Sequence, residues 1–292
     1  MNEHEDKVKQ ITVETSERTV HDERATLLEN GILIEHPHMQ RACKILDHLA
    51  DQPKRPRMEG KSFIGPTNNG KSFTVDFWIN ERRKKEKNSS KFDYVHVDLP
   101  EIPSVKSLYS EILIKLHLPI NAIAGTAEQL KHKVTRLFSE LHVKMLFIDE
   151  VHNLLGAQSE RIKAQCLNAL KGLSNRLQIP IVLIGTDAAA DVIKSDTQVL
   201  NRFRIINFKP WEKGEDFDTL LNTFEANLHL RNPSNLSSPK LSTYILKVSE
   251  GKIGEISTLL SKAAIKAIER GTEKLTLDLL KETYEELNED EE

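Results

Sequence analysis

Aromatic residues are scarce in this 292-residue chain, at 5% of the total, and cysteine is scarcer still, with Cys43 and Cys166 the only two. Cysteines so far apart give neither a C-x-x-C pair nor a metal-type spacing, which excludes a disulfide framework and a zinc finger. Long apolar runs are missing as well. No window approaches the roughly 20 apolar residues that a membrane helix needs. The first ten residues, MNEHEDKVKQ, are polar and carry no apolar core of a secretory signal, so a cytoplasmic, bacterial location is expected. The histidines are scattered singly apart from His36 and His38, and no metal site beyond a nucleotide-associated magnesium is expected.

Net charge is small, −3, but it is unevenly placed. Residues 1–30 sum to −4 and residues 282–292 to −7, which leaves +8 for residues 31–281. A basic body with acidic ends can attract a polyanion, because steering follows the local field rather than the total. No basic stretch is interleaved with aromatics. The run Arg82-Arg83-Lys84-Lys85-Glu86-Lys87 falls at the end of an expected helix, where cations complement the helix dipole and face water.

Hydrophobic periodicity predicts a helix over Val20–Asn30 and a second over Met39–Ala50, then a Pro/Arg-rich linker. Four apolar runs at 62–65, 94–99, 144–150 and 180–186, with a fifth at 205–208, read as buried strands. Helices expected at 71–86, 104–117, 127–142 and 160–177 separate them. This alternation is that of an α/β fold with a doubly wound, largely parallel five-stranded sheet. Past Trp211 only helices are expected, near 214–229, 239–249, 254–270 and 276–288, as a small all-helical domain.

Gly65-Pro66-Thr67-Asn68-Asn69-Gly70-Lys71-Ser72, followed by Phe73, fills the pattern G-x-x-x-x-G-K-[ST] between a strand and a helix. Its backbone N–H groups can cradle phosphates at a helix N-terminus, with Lys71 reaching the β- and γ-phosphates. The Ser72 hydroxyl and the strand-terminal Asp149 are the expected ligands of Mg²⁺, and Glu150 is the expected general base for the attacking water. Asp149-Glu150-Val151-His152 also resembles a helicase box, but such helicases need a second RecA-like domain that the remaining residues cannot supply. Thr186 ends the next strand, where it could orient that water or simply close the strand. Arg202 and Arg204 precede the last strand and would point away from their own phosphates. They could serve a neighbouring subunit as arginine fingers, or be surface arginines at a helix end.

These motifs in this order, followed by a helical lid, resemble an AAA+ ATPase over about residues 35–288. More narrowly, His36-Pro37, Arg57-Met58, GPTNNGKS, LFIDEVHNLL at 146–155, LIGT at 183–186 and VLNRFR at 199–204 are similar to the TniB/TnsC family. The domains implied are an acidic arm with its first helix over 1–30, an AAA+ domain over 31–212, a helical lid over 213–288 and the end of an acidic tail at 289–292. The resemblance implies an ATP- and Mg²⁺-dependent protein that assembles as a homo-oligomeric ring or filament on double-stranded DNA. Such a protein marks a transposition target and recruits the transposase, and a TniQ-like adaptor or an RNA-guided complex is the implied target-selecting partner. Lys106 and Thr126 match the segments that grip DNA in the family's plan, with ordinary solvation and helix capping as their alternatives. One departure is the stretch Gly251–Ile256, which lacks the arginine that such lids commonly carry there and leaves Lys252 to substitute. The alternative function is a secretion-type or helicase-loader AAA+ ATPase acting on a protein partner.

Overall fold

The computed structural model describes residues 23–29, 31–86 and 89–289. Most of the expected acidic arm, Lys87 of the basic run and the last three residues of the acidic tail lie outside the described residues. The chain divides into two compact units, Pro37–Lys209 and a second made of Met1–His36 with Pro210–Glu292.

The first unit runs α1 (Pro37–Asp51), β1 (Gly60–Ile64), α2 (Lys71–Lys85), β2 (Tyr94–Asp98), α3 (Val105–Lys115), α4 (Ala127–Glu140) and β3 (Met145–Asp149). It continues with α5 (Glu160–Leu177), β4 (Ile181–Gly185), α6 (Asp187–Lys194), α7 (Thr197–Arg202) and β5 (Phe203–Asn207). The strands form one parallel sheet in the order β2-β3-β4-β1-β5. In β3 and β4 every residue is buried, which is why β4 and, up to Asp149, β3 read as apolar runs: helices cover them on both faces. The edge strands β2 and β5 are only partly buried.

On one face α1 and α2 bring Leu46, Leu49, Val75 and Trp78 against Phe63, Phe147 and Val182. On the other, residues of α3 to α7, among them Ile112, Val134, Leu170 and Val192, pack on Leu146, Ile148 and Leu183. Helix starts follow the sequence chemistry. Ser104 caps α3 in a reciprocal box with Ser107, and Thr126 caps α4 in another with Gln129. The basic run at the end of α2 is largely consumed inside the unit. Arg82 pairs with Asp47, Asp51 and Glu86, while Arg83 donates to the Lys91 and Tyr94 carbonyls.

The second unit contains α8 (Glu215–Asn227), α9 (Pro239–Ser249), α10 (Ile253–Glu269) and α11 (Leu277–Glu289). Its core includes Phe217, Leu221, Phe224, Ile245, Leu260 and Leu280, and Leu28 and Ile34 are part of it. Arg24 in the helical stretch 23–29 donates to both carboxylate oxygens of Glu273, at 2.8 and 3.1 Å. His36 stacks edge-on against Trp211 with centroids 5.5 Å apart. Ahead of Pro37, Leu28 and Ile34 are buried in the core of the helical unit, so by contact the α/β unit begins at Pro37 and not at residue 31.

Candidate nucleotide site

The carboxyl ends of β1, β3 and β4 meet at a cleft of about 280 Å³ lined by Thr67 to Phe73, Asp149, Glu150, His152, Gly185 and Thr186. A larger cleft of about 410 Å³ lies by the segments that precede β3 and β4, at the opposite strand ends, and contains none of these groups.

The phosphate loop is shaped by close backbone approach. A side chain at Gly65 would put its Cβ 2.1 Å from the Phe208 carbonyl oxygen, so only glycine fits there. The Gly65 N–H donates to the Gly185 carbonyl at 3.3 Å, the Phe208 N–H to Ile64, and the Asn69 side-chain amide to the Phe208 carbonyl at 2.9 Å. Gly70, at φ 75°, turns the loop into α2, and the Thr74 N–H closes the first turn on its carbonyl. Lys71 is 7% exposed, with its ammonium on the Gly65 carbonyl at 2.8 Å and on that of Pro66. Burial, the largest influence, lowers its pKa, while Asp149, Asp187 and Glu150 act the other way.

Asp149 is 4% exposed at the end of β3. One carboxylate oxygen accepts the Ser72 hydroxyl and the other the Glu150 N–H at 2.7 Å. Burial opposes its charge, but these donors and His96 outweigh it and hold its carboxyl below the usual range. Glu150 adopts φ 56°, a left-handed conformation that costs a non-glycine residue about 1–3 kcal/mol. The turn carries its carboxylate to 3.1 Å from His152 Nε2. Thr186 starts α6 without a side-chain capping bond.

The oxygens of Ser72 and Asp149 already meet at hydrogen-bond range, a hard-oxygen pair of the kind that Mg²⁺ accepts, so the residues present fit that ion. Of the expected residues, Thr67 to Phe73, Asp149, Glu150 and Thr186 line one cleft, and Gly65 and Pro66 meet it through their carbonyls on Lys71. Arg202, Arg204, Lys106 and Thr126 do not line the cleft. Arg202 is 7% exposed and donates to the Lys171 carbonyl at 3.0 Å. Burial and then the Arg57 charge lower its pKa. Arg204 is exposed on β5. Lys106 is exposed in the first turn of α3, and the Thr126 hydroxyl accepts from the Gln129 N–H at 3.3 Å as a cap. In the helical unit, Lys252 pairs with Glu250 at 2.6 Å.

Three neighbours of the site were not expected from the sequence: His152, His96 and Asp76. His96 Nδ1 lies 2.7 Å from Asp76, and its Nε2 lies 3.5 Å from Asp149. Burial disfavours the His96 charge, yet the Asp149 and Asp76 carboxylates outweigh it and push its pKa up to about 9. Ligand atoms of His96, Asp98 and Asp149 also come within 4.8 Å of one another, a grouping that single histidines in a sequence do not announce.

A phosphate loop after β1, with two acids at the end of β3 on the far side of β4, is the arrangement of a P-loop nucleotide-binding protein, and the fold is that of the AAA+ ATPases. The *Aeropyrum pernix* ORC2 protein, solved as ADPNP–ADP complexes, superposes with a TM-score of 0.60 at 17% identity, covering 88% of this chain and 68% of that one. Cdc6p from *Pyrobaculum aerophilum* gives 0.65 at 16%, covering 87% and 68%. The *A. pernix* ORC1 protein in complex with DNA gives 0.64 at 13%, covering 87% and 66%, so the chain spans about two thirds of the length of these proteins. No curated protein matches the chain. The model of the bacterial TniB protein family matches residues 24–213, and the chain belongs to that family. Among the described residues no helix is long and apolar enough to cross a membrane.

Proposed function

We propose that this protein binds and hydrolyses ATP, assembles with it on double-stranded DNA as a ring or filament, and there regulates transposition by marking the target and recruiting the transposase. The observation that carries the proposal is the Lys71–Ser72–Asp149–Glu150 constellation, assembled at one cleft in a chain of the TniB family. Ser72 and Asp149 would hold Mg²⁺, which when bound supplies positive charge to the phosphates. Lys71 would leave the Gly65 and Pro66 carbonyls for the phosphate oxygens, Glu150 would take a proton from the attacking water, and Thr186 would orient that water. Of the two arginines expected to act on a neighbouring subunit, Arg204 is the exposed one, and Arg202 is engaged within its own chain. We assign the finger role to Arg204, with Arg202 shaping the end of α7.

DNA contact through Lys106, at the exposed start of α3, would be to phosphate and independent of sequence, and its strength would fall with salt. The solved ORC1 protein in complex with DNA, a distant neighbour in fold, is in keeping with a role on DNA. A TniQ-like adaptor or an RNA-guided complex would supply the target. The test is electron microscopy of the protein with duplex DNA, with and without a slowly hydrolysed ATP analogue, at low salt. Rings or filaments that require both ligands, and that vanish in Lys71→Ala, are expected. Dispersed particles under every condition would overturn the reading in favour of a loader acting on a protein partner.

A further inference from the structure

The Asp149 carboxylate has a second source of support that the phosphate-loop pattern does not contain. On α2, Ser72 and Asp76 are four residues apart and so lie on one helix face, above the ends of β2 and β3. In the register of these strands His96 pairs with Phe147 and Asp98 with Asp149, which sets His96 diagonal to Asp149 on the same side of the sheet. The imidazole packs edge-on against Phe147, with centroids 6.1 Å apart, and presents Nδ1 to Asp76 at 2.7 Å. That contact fixes the ring so that Nε2 faces Asp149 at 3.5 Å. This buried Nε2 has no hydrogen-bond partner among the described residues.

We propose that Asp76 and His96 form a brace that positions the Asp149 carboxylate for the divalent cation, an inference that rests on the nucleotide site proposed above. The Asp149 oxygen that faces His96 is the one that now accepts the Ser72 hydroxyl. When Ser72 and Asp149 both turn to a cation, that hydroxyl is withdrawn, and His96 is the side-chain donor left to hold the oxygen in place. Carboxylate-oriented imidazoles are a recurrent outer support of metal sites, and losing one typically weakens metal binding about 10- to 100-fold. His96 is therefore a positioning residue, acting on the cation through Asp149.

The experiment measures the affinity of a fluorescent ATP analogue as Mg²⁺ is titrated, together with Mn²⁺ binding in the presence of ADP by electron paramagnetic resonance. In His96→Ala the cation concentration for half-maximal effect is expected to rise about 10- to 100-fold, while affinity in EDTA stays at the wild-type value. Asp76→Asn, at a side chain 60% exposed and outside the core, should move in the same direction. His96→Gln, whose amide can still donate toward Asp149, should recover part of the loss, which a merely structural defect would not do. Wild-type cation dependence in both His96→Ala and Asp76→Asn overturns the brace and leaves the nucleotide site standing. A wild-type protein whose nucleotide affinity is indifferent to the cation overturns both.

Discussion

Gly65→Ala adds one methyl group at the point where the phosphate loop touches the residue after β5. The new carbon would lie 2.1 Å from the Phe208 carbonyl oxygen and 3.0 Å from the Phe208 Cβ. An ordinary carbon–oxygen contact is about 3.3 Å, so the two backbones must part by roughly 1 Å. That movement strains the Phe208 N–H to Ile64 bond and the Asn69 amide to Phe208 bond, which tie the loop to the edge of the sheet. Overpacking costs about 1–3 kcal/mol and each weakened hydrogen bond up to about 1 kcal/mol, for a total of roughly 2–4 kcal/mol. At about 2–4 °C per kcal/mol the α/β unit should melt some 5–15 °C lower. Loop donors displaced by about 1 Å should also slow ATP hydrolysis by about 100-fold and weaken ATP binding. Gly172→Ala is the internal control: it lies inside α5 with nothing within 4 Å of the added Cβ, and it should stabilise by about 0.5–1 kcal/mol. Calorimetric melting and titration with MgATP measure both effects. A Gly65→Ala protein that melts and binds like the wild type would refute the account of the loop.

Glu150→Gln should bind ATP with unchanged affinity and lose turnover, so that single-turnover assays find ATP trapped; normal hydrolysis would remove Glu150 from the mechanism. Arg204→Ala should bind ATP yet hydrolyse it poorly, and mixing it with Lys71→Ala protein should restore part of the activity; an unmixed and a mixed sample of equal activity would count against a shared site. Arg202→Ala should lower the melting temperature through loss of its part-buried bond to the Lys171 carbonyl, read by thermal denaturation. Glu86 provides a pH test. Burial opposes its charge, but Lys144, Arg82 and the Tyr94 hydroxyl hold its pKa down to about 2. Since the folded value lies below the unfolded one, its stabilisation, about 2 kcal/mol after allowance for solvent, is complete above about pH 4.5 and is lost as pH falls toward 2. Glu86→Gln should therefore flatten the acid limb of the stability curve, and an unchanged limb would show that the cluster contributes little.

The sheet was legible because parallel strands buried on both faces are apolar along their length, as MLFI before Asp149 and IVLIG are. The phosphate loop was legible because its chemistry is local, eight residues between a strand and a helix. What depends on neighbours distant in sequence was not. His96 and Asp149 meet only because β2 lies beside β3, and Asp76 reaches His96 only because α2 lies over that edge. Burial separated Arg202 from Arg204, two residues that the sequence presents as equivalent. The helix Asp187–Lys194 follows β4 with a single residue between them, too short a run to show a period of its own.

The route of the chain through the two units has a consequence for the order in which they form during synthesis. Residues Pro37–Lys209 contain every strand and helix of the α/β unit, so this part can close its core as soon as Lys209 has left the ribosome. The helical unit cannot. Arg24 and Glu273, which clasp one another there, are 249 positions apart, and Leu28 and Ile34 belong to a core whose other members run from Trp211 to Leu280. The earliest described segment to be synthesised is thus among the last to settle, and the nucleotide-binding half is complete before the helical half exists.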